Sequence, residues 1–294
     1  MTIRTALTRF FLQEDINFLL TNRIPRRALT LFMGWFSKIE QPLVRDLSLG
    51  LWKRFAALEL DEAEKTTFSS LHDCFIRRLK DGARPTAADP ALLASPCDAI
   101  VGRCGAIEGT RVFQAKGFPY TLEDLIGDPA VIEHLRDGCY ATLRISSTMY
   151  HRFHAPHDCR VESVTYFSGD TWNVNPIALK RVERLFCKNE RAAIVAHLDA
   201  ADTRIVLVPV AAVLVASIRL HFIDTLLHLR YRGPRQIPCD ARLRKGEEMG
   251  WFEHGSTIIV FAPRGFTLCD GIKDGLRLRA GEGLMRISEP GGQL

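Results

Sequence analysis

The sequence lacks the cysteine spacings that mark metal sites and disulfide scaffolds. Its 294 residues include eight cysteines, yet no two of them form a C-x-x-C pair. A zinc ribbon is therefore not expected, and neither is a disulfide-bonded scaffold. The cysteines are interpreted as small buried side chains in a protein kept in a reducing compartment.

Long hydrophobic runs, internal repeats and low-complexity segments are also lacking. In the first 55 residues the longest uncharged run covers 28–37, about half of the ~20 residues that a membrane span requires. The sequence predicts no secretory signal peptide. A hydrophobic content of 47% and a charged content of 25% are ordinary for a globular protein.

The positive charge of the chain is confined to its N-terminal part. Residues 1–55 hold nine basic and four acidic residues, which accounts for the whole net charge of +5, because the remaining 30 basic and 30 acidic residues cancel. The same segment carries large apolar residues at near-helical spacing. These are Phe10, Phe11, Leu12, Ile16, Leu19, Leu20, Leu31, Phe32, Trp35, Phe36, Ile39, Leu47, Leu51, Trp52 and Phe55.

Basic amphipathic helices with aromatic apolar faces bind anionic membranes. We therefore expect residues 1–60 to form a helical region, with residues 1–55 attaching the protein peripherally to an anionic membrane surface. Packing of these helices on the core is the alternative.

Residues 61–294 are predicted to form a β-rich domain. Asp61–Lys80 and Thr121–Arg136 have helical patterns with N-cap residues. The uncharged stretch 205–218 contains Pro209 and favours a bent or bulged strand pair. Further strands are predicted at 99–102, 111–114, 140–145, 161–166, 192–198, 257–262 and 276–278.

Most of these strands follow one another without an intervening helix, which excludes a doubly wound sheet. The expected fold class is α+β. It has a largely antiparallel, sandwich- or barrel-like β core, N-terminal amphipathic helices and one mid-chain helix.

The stretch YHRFHAPHD (150–158) concentrates three histidines, His151, His154 and His157. A metal site is one interpretation of such a cluster. Pro156 prevents a helix that would align the histidines, and no fourth ligand is evident. We therefore expect no metal here.

The stretch WFEHGSTIIVF (251–261) places Gly255 and Ser256 directly before a β-branched run, which predicts a turn entering a strand. With a histidine base and Asp98 or Asp158, Ser256 has the groups of a Ser-His-Asp hydrolase. No G-x-S-x-G elbow surrounds the serine, however, and a strand follows it instead of a helix. A hydrolase of lipid esters and a non-enzymatic, membrane-associated binding protein remain open on these residues alone.

Five segments in chain order resemble the motifs of the phosphatidylserine decarboxylase family of pyruvoyl-dependent enzymes. They are SPCDAIVG (95–102), FQAKGFPYTLEDLIG (113–127), YHRFHAPHD (150–158), NVNPIALKRVERLFCKNERA (173–192) and KGEEMGWFEHGSTIIVF (245–261). Three positions depart from the family pattern. His254 stands where the family has leucine, and Ala99 and Cys159 each stand where the family has glycine.

The resemblance implies a proenzyme that cleaves itself between Gly255 and Ser256 into chains 1–255 and 256–294. The Ser256 hydroxyl would attack the Gly255 carbonyl, and elimination and hydrolysis would leave a covalent pyruvoyl group made from Ser256. By the same resemblance, His154 is the base for cleavage and Asp98 orients it. The pyruvoyl carbonyl would form a Schiff base with phosphatidylserine and accept the electrons released with CO₂. His151 would then protonate the carbanion.

The resemblance also implies the partners of the protein. The substrate would be phosphatidylserine in a membrane and the product phosphatidylethanolamine. The two cleaved chains would form a heterodimer, and that unit a homodimer. In a bacterium the protein would lie on the cytoplasmic face of the cell membrane. No nucleic acid is expected. Arg242, Arg244 and Lys245 are candidates for binding the headgroup, although a run of charges is more often a solvated face.

Overall fold

The computed structural model describes residues 13–56, 58–115, 118–214, 217–253 and 256–288. Predictions that rest on residues 1–12, His254 or Gly255, or on the side chains of Phe55 and Ser256, lie outside the described part. The helices are α1 Glu14–Asn22, α2 Arg26–Phe36, α3 Pro42–Phe55, α4 Leu71–Phe75, α5 Leu122–Leu125, α6 Pro129–Leu135, α7 Pro176–Leu179 and α8 Leu185–Lys188.

The strands are β1 Leu92–Ala94, β2 Ala99–Ala106, β3 Arg111–Ala115, β4 Phe118–Thr121, β5 Cys139–Arg144, β6 Arg152–His154, β7 Cys159–Phe167, β8 Arg191–Leu198, β9 Thr203–Ala211, β10 Ser217–Leu220, β11 Leu226–His228, β12 Gln236–Leu243, β13 Glu248–Phe252, β14 Ser256–Ala262, β15 Phe266–Leu268, β16 Arg277–Leu278 and β17 Gly283–Ile287.

Eight strands form one antiparallel sheet in the order β12-β7-β8-β9-β14-β5-β2-β16. Its central strands carry apolar side chains on both faces. In β14, Ile258 and Val260 enter one core, whereas Ile259 and Phe261 enter another. Because side chains alternate along a strand, this pattern requires the sheet to be covered on both sides.

Different layers cover the two faces of the large sheet. The first face shares a core with residues of two smaller antiparallel sheets, ordered β11-β10-β13-β6 and β1-β17-β15. The second face is covered by residues of the β3–β4 hairpin and of helices α5 to α8. The predicted α+β class with an antiparallel core is confirmed.

The single mid-chain helix predicted for Thr121–Arg136 is wrong. Two short helices, α5 and α6, occupy this segment. Between them Gly127 has φ +78°, a left-handed conformation that ends a helix. The predicted start is confirmed, because the Thr121 side chain accepts the Asp124 N–H in a capping box.

The helix predicted for Asp61–Lys80 is also wrong over most of its length, since only Leu71–Phe75 is helical. Ala63 and Leu79 instead form an antiparallel bridge, and Ala63 packs with Leu49 of α3 in a small separate core. Tertiary burial here outweighs the local helical pattern. The expected strand pair at 204–218 is divided, with β9 in the large sheet and β10 in the four-stranded one.

Helices α1 to α3 contact the β core on one side and expose apolar side chains elsewhere. Arg26 forms an ion pair with Asp170 at 2.5 Å and stacks on Trp172. All the large hydrophobic residues that the structure shows exposed belong to these helices: Leu19, Leu20, Leu31, Phe32, Trp35, Leu43, Leu47 and Leu51. Among the described residues, no helix has the length and apolar character needed to cross a membrane.

A substitution at Gly250 can test the packing of the four-stranded sheet. It lies in β13 between β10 and β6, where an added Cβ would overlap the carbonyl oxygen of Arg219. Gly250→Ala should lower the free energy of unfolding by about 1–3 kcal/mol. Denaturant unfolding measures this change. The matched control is Gly34→Ala in α2, where a methyl group meets open space and should be neutral or slightly stabilising. Equal stability of Gly250→Ala and the unmodified protein would contradict this packing.

Candidate active site

Ser256 is the first residue of a central strand. Its Cα lies opposite Ala211 of β9, and the next residue, Thr257, lies opposite Arg144 of β5. Position 256 therefore belongs to the same sheet face as Ile258. Because β14 is hydrogen-bonded on both sides, its first residue has a fixed place at one end of the sheet.

The residues before Ser256 connect two sheets. Strand β13 ends at Phe252 in the four-stranded sheet, and β14 begins four residues later in the large sheet. Glu253 is anchored where the connection starts, because its carboxylate binds Lys38 at 3.1 Å and accepts the Ser217 hydroxyl at 3.0 Å. The expected cleavage position lies in this connection.

His151 lies beside the start of this connection. It is fully buried, its carbonyl accepts the Phe252 N–H at 3.1 Å, and its ring lies 3.9 Å from that of Phe75 between centroids. Nδ1 is 2.8 Å from the carbonyl oxygen of Met149. A nitrogen facing a carbonyl must donate, so Nε2 is the basic nitrogen of the neutral ring.

His154 lies at the opposite end of β13. Its Cα pairs with Glu248, which is four residues, or roughly 13 Å of strand, from Phe252. Nδ1 is 3.0 Å from the Gly246 carbonyl oxygen, and Nε2 is 3.0 Å from the Tyr150 hydroxyl. Burial lowers the pKa of His154 below its ordinary value. The two histidines are therefore held in separate environments.

Asp98 is buried beside an arginine. Its carboxylate accepts two hydrogen bonds from Arg84, at 2.7 and 2.5 Å, and the Ala280 N–H at 2.9 Å. Within the described part of the chain, no hydrogen bond joins Asp98 to His154 or His151. Arg84 and His154 line the same cavity of about 40 Å³, and the His154 N–H donates to Pro96, two residues before Asp98. The structure thus brings Asp98 near His154 without pairing them, and their roles stay predictions.

A larger cavity, of about 760 Å³, lies at the Ser256 end of the sheet. Ile145 and Ala212, which follow the strand partners of Thr257 and Ser256, both line it. Phe75 connects its wall to the ring of His151. The other lining residues are Met33, Phe36, Ser48, Leu51, Trp52, Leu71, Arg144, Ser146, Ser147, Asn173, Val174, Asn175, Val213 and Leu214. Its size suits a small-molecule ligand, and part of its wall comes from α2 and α3.

Two ionisable residues near this end of the sheet, the half-buried Arg144 and the buried Glu190, were not predicted from the sequence. Glu190 is 1% exposed, its carbonyl accepts the Ala211 N–H, and its carboxylate accepts the Tyr166 hydroxyl at 2.5 Å. Glu190 and Ser256 thus flank Ala211 in one row across the sheet. The run Asn-Glu-Arg immediately before an apolar strand was the available signal.

Comparison with known proteins agrees with these features. The phosphatidylserine decarboxylase family model matches residues 71–286, a range that contains Asp98, His151, His154 and Ser256. A phosphatidylserine decarboxylase proenzyme of Sodalis glossinidius is 33% identical over 284 residues, which is 92% of this chain and 95% of that protein. The chain belongs to the phosphatidylserine decarboxylase family.

Other relatives in the phosphatidylserine decarboxylase family are equally similar. The proenzyme of Methylibium petroleiphilum is 34% identical over 286 residues, covering 93% of this chain and 98% of that protein. The proenzyme of Vibrio cholerae is 35% identical over 275 residues, covering 88% and 94%. The family predicted from the motifs is confirmed, and a hydrolase or a non-enzymatic binding protein is not favoured.

Glu190 provides a pH test of this end of the sheet. Burial raises the pKa of Glu190 to about 7, so the folded protein keeps a proton that the unfolded chain releases at lower pH. Its contribution to stability is therefore complete below about pH 4.5 and is lost as the pH rises to about 7. Glu190→Gln should remove this loss and be more stable above pH 7, by an amount on the order of 3 kcal/mol.

Thermal or denaturant unfolding at a series of pH values measures the effect. The control is Glu123→Gln on the exposed surface of α5, which should leave the pH dependence unchanged. Parallel stability curves for Glu190→Gln and the unmodified protein between pH 4.5 and 7 would contradict a protonated, buried Glu190.

Proposed function

We propose that this chain is a proenzyme that cleaves itself between Gly255 and Ser256 and then decarboxylates phosphatidylserine to phosphatidylethanolamine. Family membership supports the reaction. The observation that carries the proposal is the position of Ser256, at the first residue of a central strand and beside a large cavity. A cut before this residue would leave a new N-terminus that pairs with β9 at Ser256 and with both β9 and β5 from Thr257 onward.

The surroundings of Ser256 fit a pyruvoyl group made from that residue. Its strand partner Ala211 has a small side chain, and the neighbouring cavity has room for a lipid headgroup. Such a group supplies an electrophilic carbonyl that accepts the electrons released when CO₂ leaves. The protein must bind the lipid, exclude water and deliver a proton to the carbon that lost CO₂.

His151 is the proposed proton donor for decarboxylation. The backbone hydrogen bond from the Phe252 N–H to the His151 carbonyl supports this role, because it holds His151 beside the connection that leads to Ser256. Its Nδ1 donates to the backbone carbonyl of Met149. This hydrogen bond fixes the orientation of the ring and leaves Nε2 as its basic nitrogen. An imidazole can take up and return a proton, as general acid–base catalysis requires.

His154 and Asp98 are proposed as residues that self-cleavage requires, as the family resemblance implies. Their contacts support a shared network at the start of β13. Asp98 holds Arg84, Arg84 borders the small cavity beside His154, and His154 binds the Gly246 carbonyl. Loss of either residue would disturb the segment that leads into the cleavage position.

Substitution separates these roles. Ser256→Ala should stay uncut and inactive, because the nucleophile is lost. His154→Ala and Asp98→Asn should cleave slowly or not at all. His151→Ala should cleave but decarboxylate at least about 100-fold more slowly, the usual contribution of a general acid. A denaturing gel and intact mass follow cleavage into 1–255 and 256–294, and CO₂ release follows decarboxylation.

The matched control is His197→Ala, which should cleave and react normally. His197 lies near the end of β8, whereas Glu190, at the Ser256 end of the sheet, directly precedes that strand. An uncut His151→Ala together with normal cleavage of His154→Ala would reverse the two histidine roles. A full-length, uncut and inactive wild-type protein would reject the proposed function.

The proposed membrane contact is the exposed apolar surface of α1 to α3. Trp35, Leu43 and Leu47 are 64%, 73% and 70% exposed. Exposed basic residues, including Arg27 and Lys53, lie on the same helices, where each adds on the order of 1 kcal/mol at an anionic surface. Because α2 and α3 also line the large cavity, a lipid held at this surface would lie close to the proposed active site.

Trp35→Ser combined with Leu47→Ser should reduce sedimentation with phosphatidylserine liposomes at least about tenfold, because burial of both side chains is lost. Activity on liposomes should fall with it, whereas self-cleavage and activity on short-chain soluble phosphatidylserine should remain. High salt should weaken binding of the wild type without abolishing it. The control, Gln236→Ser on β12, should bind normally. Equal liposome binding by the double variant and the wild type would show that these helices serve only to pack on the core.

A further inference from the structure

Arg144 is the one charged residue among the described residues that line the large cavity. It ends β5 directly opposite Thr257, so its backbone lies next to the start of β14. Its side chain is half-buried. A cation is thus built into an otherwise uncharged wall, next to the start of the strand whose first residue is proposed to become the reactive group.

No carboxylate compensates this charge within the part of the chain that the structure describes. Arg144 forms no ion pair and no hydrogen bond there, whereas the Arg84 side chain, which is also half-buried, has both Asp98 and Glu62. Burial alone lowers the pKa of Arg144, with no acidic neighbour to raise it. Partial burial of a guanidinium without a partner has a cost, and an anionic ligand would reduce that cost.

Two of the neighbouring polar side chains are already engaged. The Asn175 side chain accepts the Ala178 N–H and donates to Asn17. The Ser146 hydroxyl lies 3.2 Å from that of Thr148. Arg144 therefore stands out as the group in this cavity that has several donors to offer a ligand.

We propose that Arg144 binds the phosphate of the lipid headgroup, an inference that rests on the proposed function. The amine of phosphatidylserine must reach position 256, and only the carbon skeleton of one serine separates that amine from the phosphate. Arg144 and Thr257 face each other on paired strands, at a Cα separation of roughly 5 Å. A guanidinium also suits the paired oxygens of a phosphodiester.

The carboxylate of the headgroup is the poorer partner. Its charge disappears from that position as CO₂ leaves, so an ion pair with it would stabilise the substrate more than the transition state and slow the reaction. The phosphate keeps its charge throughout. An interaction of equal strength in substrate and transition state changes KM and leaves kcat nearly unaltered.

The basic run Arg242, Arg244 and Lys245 is too distant for this role. Arg242 lies on the edge strand β12, opposite Arg160. Three strands separate β12 from β14, so the two are roughly 19 Å apart across the sheet. The Lys245 ammonium also binds the Asp89 carbonyl oxygen at 2.8 Å.

The test compares Arg144→Met, Arg144→Lys and the control Arg242→Met. Soluble dihexanoyl phosphatidylserine is the substrate, and dihexanoyl phosphatidylethanolamine, which has the phosphate but no carboxylate, is the competing product. Arg144→Met should self-cleave, raise KM at least about tenfold with kcat within about threefold, and weaken product inhibition by the same factor as KM. Arg144→Lys should recover part of the loss, and Arg242→Met should match the wild type.

The same comparison is made without catalysis. Calorimetry measures binding of dihexanoyl phosphatidylethanolamine to Ser256→Ala and to Ser256→Ala combined with Arg144→Met or Arg144→Lys. Weaker binding in the Met variant, partly restored by Lys, supports the proposal even if the wild type proves not to be a decarboxylase.

Two results would overturn the phosphate assignment. One is a raised KM for phosphatidylserine in Arg144→Met together with unchanged binding of phosphatidylethanolamine. This result would assign Arg144 to the carboxylate. The other is unchanged KM and unchanged binding in folded Arg144→Met and Arg144→Lys proteins, which would leave Arg144 without a headgroup role.

Discussion

Hydrogen bonding on both sides of β14 is the constraint on which the rest of the site depends. Strand β9 pairs with β14 from Ser256 and β5 pairs with it from Thr257, so Ser256 has a defined place even though it directly follows a connection between two sheets. After a cut at 255, the second chain would stay attached to the first, because β14, β16 and β17 each pair with a strand that precedes the cut. A chain break at this point is therefore compatible with an intact fold.

The candidate site is assembled where several elements end together. Strand β9 ends at Ala211 and β5 ends at Arg144. His151, which directly precedes β6 of the four-stranded sheet, lies in the same region together with the end of β13. Helices α2 and α3 close the space above these ends and form part of the cavity wall. The helices that expose apolar surface to their surroundings thus also form part of the wall of the large cavity.

Three ionisable side chains around this site, those of Asp98, Glu190 and Arg144, differ in the partners that surround them. Asp98 and Arg84 neutralise each other with two hydrogen bonds. Glu190 has a tyrosine hydroxyl and no arginine bonded to it in the described residues, and its raised pKa reflects that environment. Arg144 has neither an ion pair nor a hydrogen-bonded hydroxyl within the described residues. Compensated pairs stabilise a fold, whereas uncompensated groups beside a cavity are where ligands and protons act.

The sequence by itself determined the family, the antiparallel character of the core and the short strands, because motif order, alternation and β-branched runs are local signals. It also indicates Ser256 as the proposed reactive serine. It did not determine the break at Gly127 or the bridge between Ala63 and Leu79, where a backbone conformation and burial against α3 override the helical pattern. Nor could it separate the surroundings of His151 and His154, since residues three apart in sequence are carried to opposite ends of β13. The surroundings of Arg144 and Glu190 also emerged only in three dimensions, because strands distant in sequence decide whether a charged side chain meets a partner.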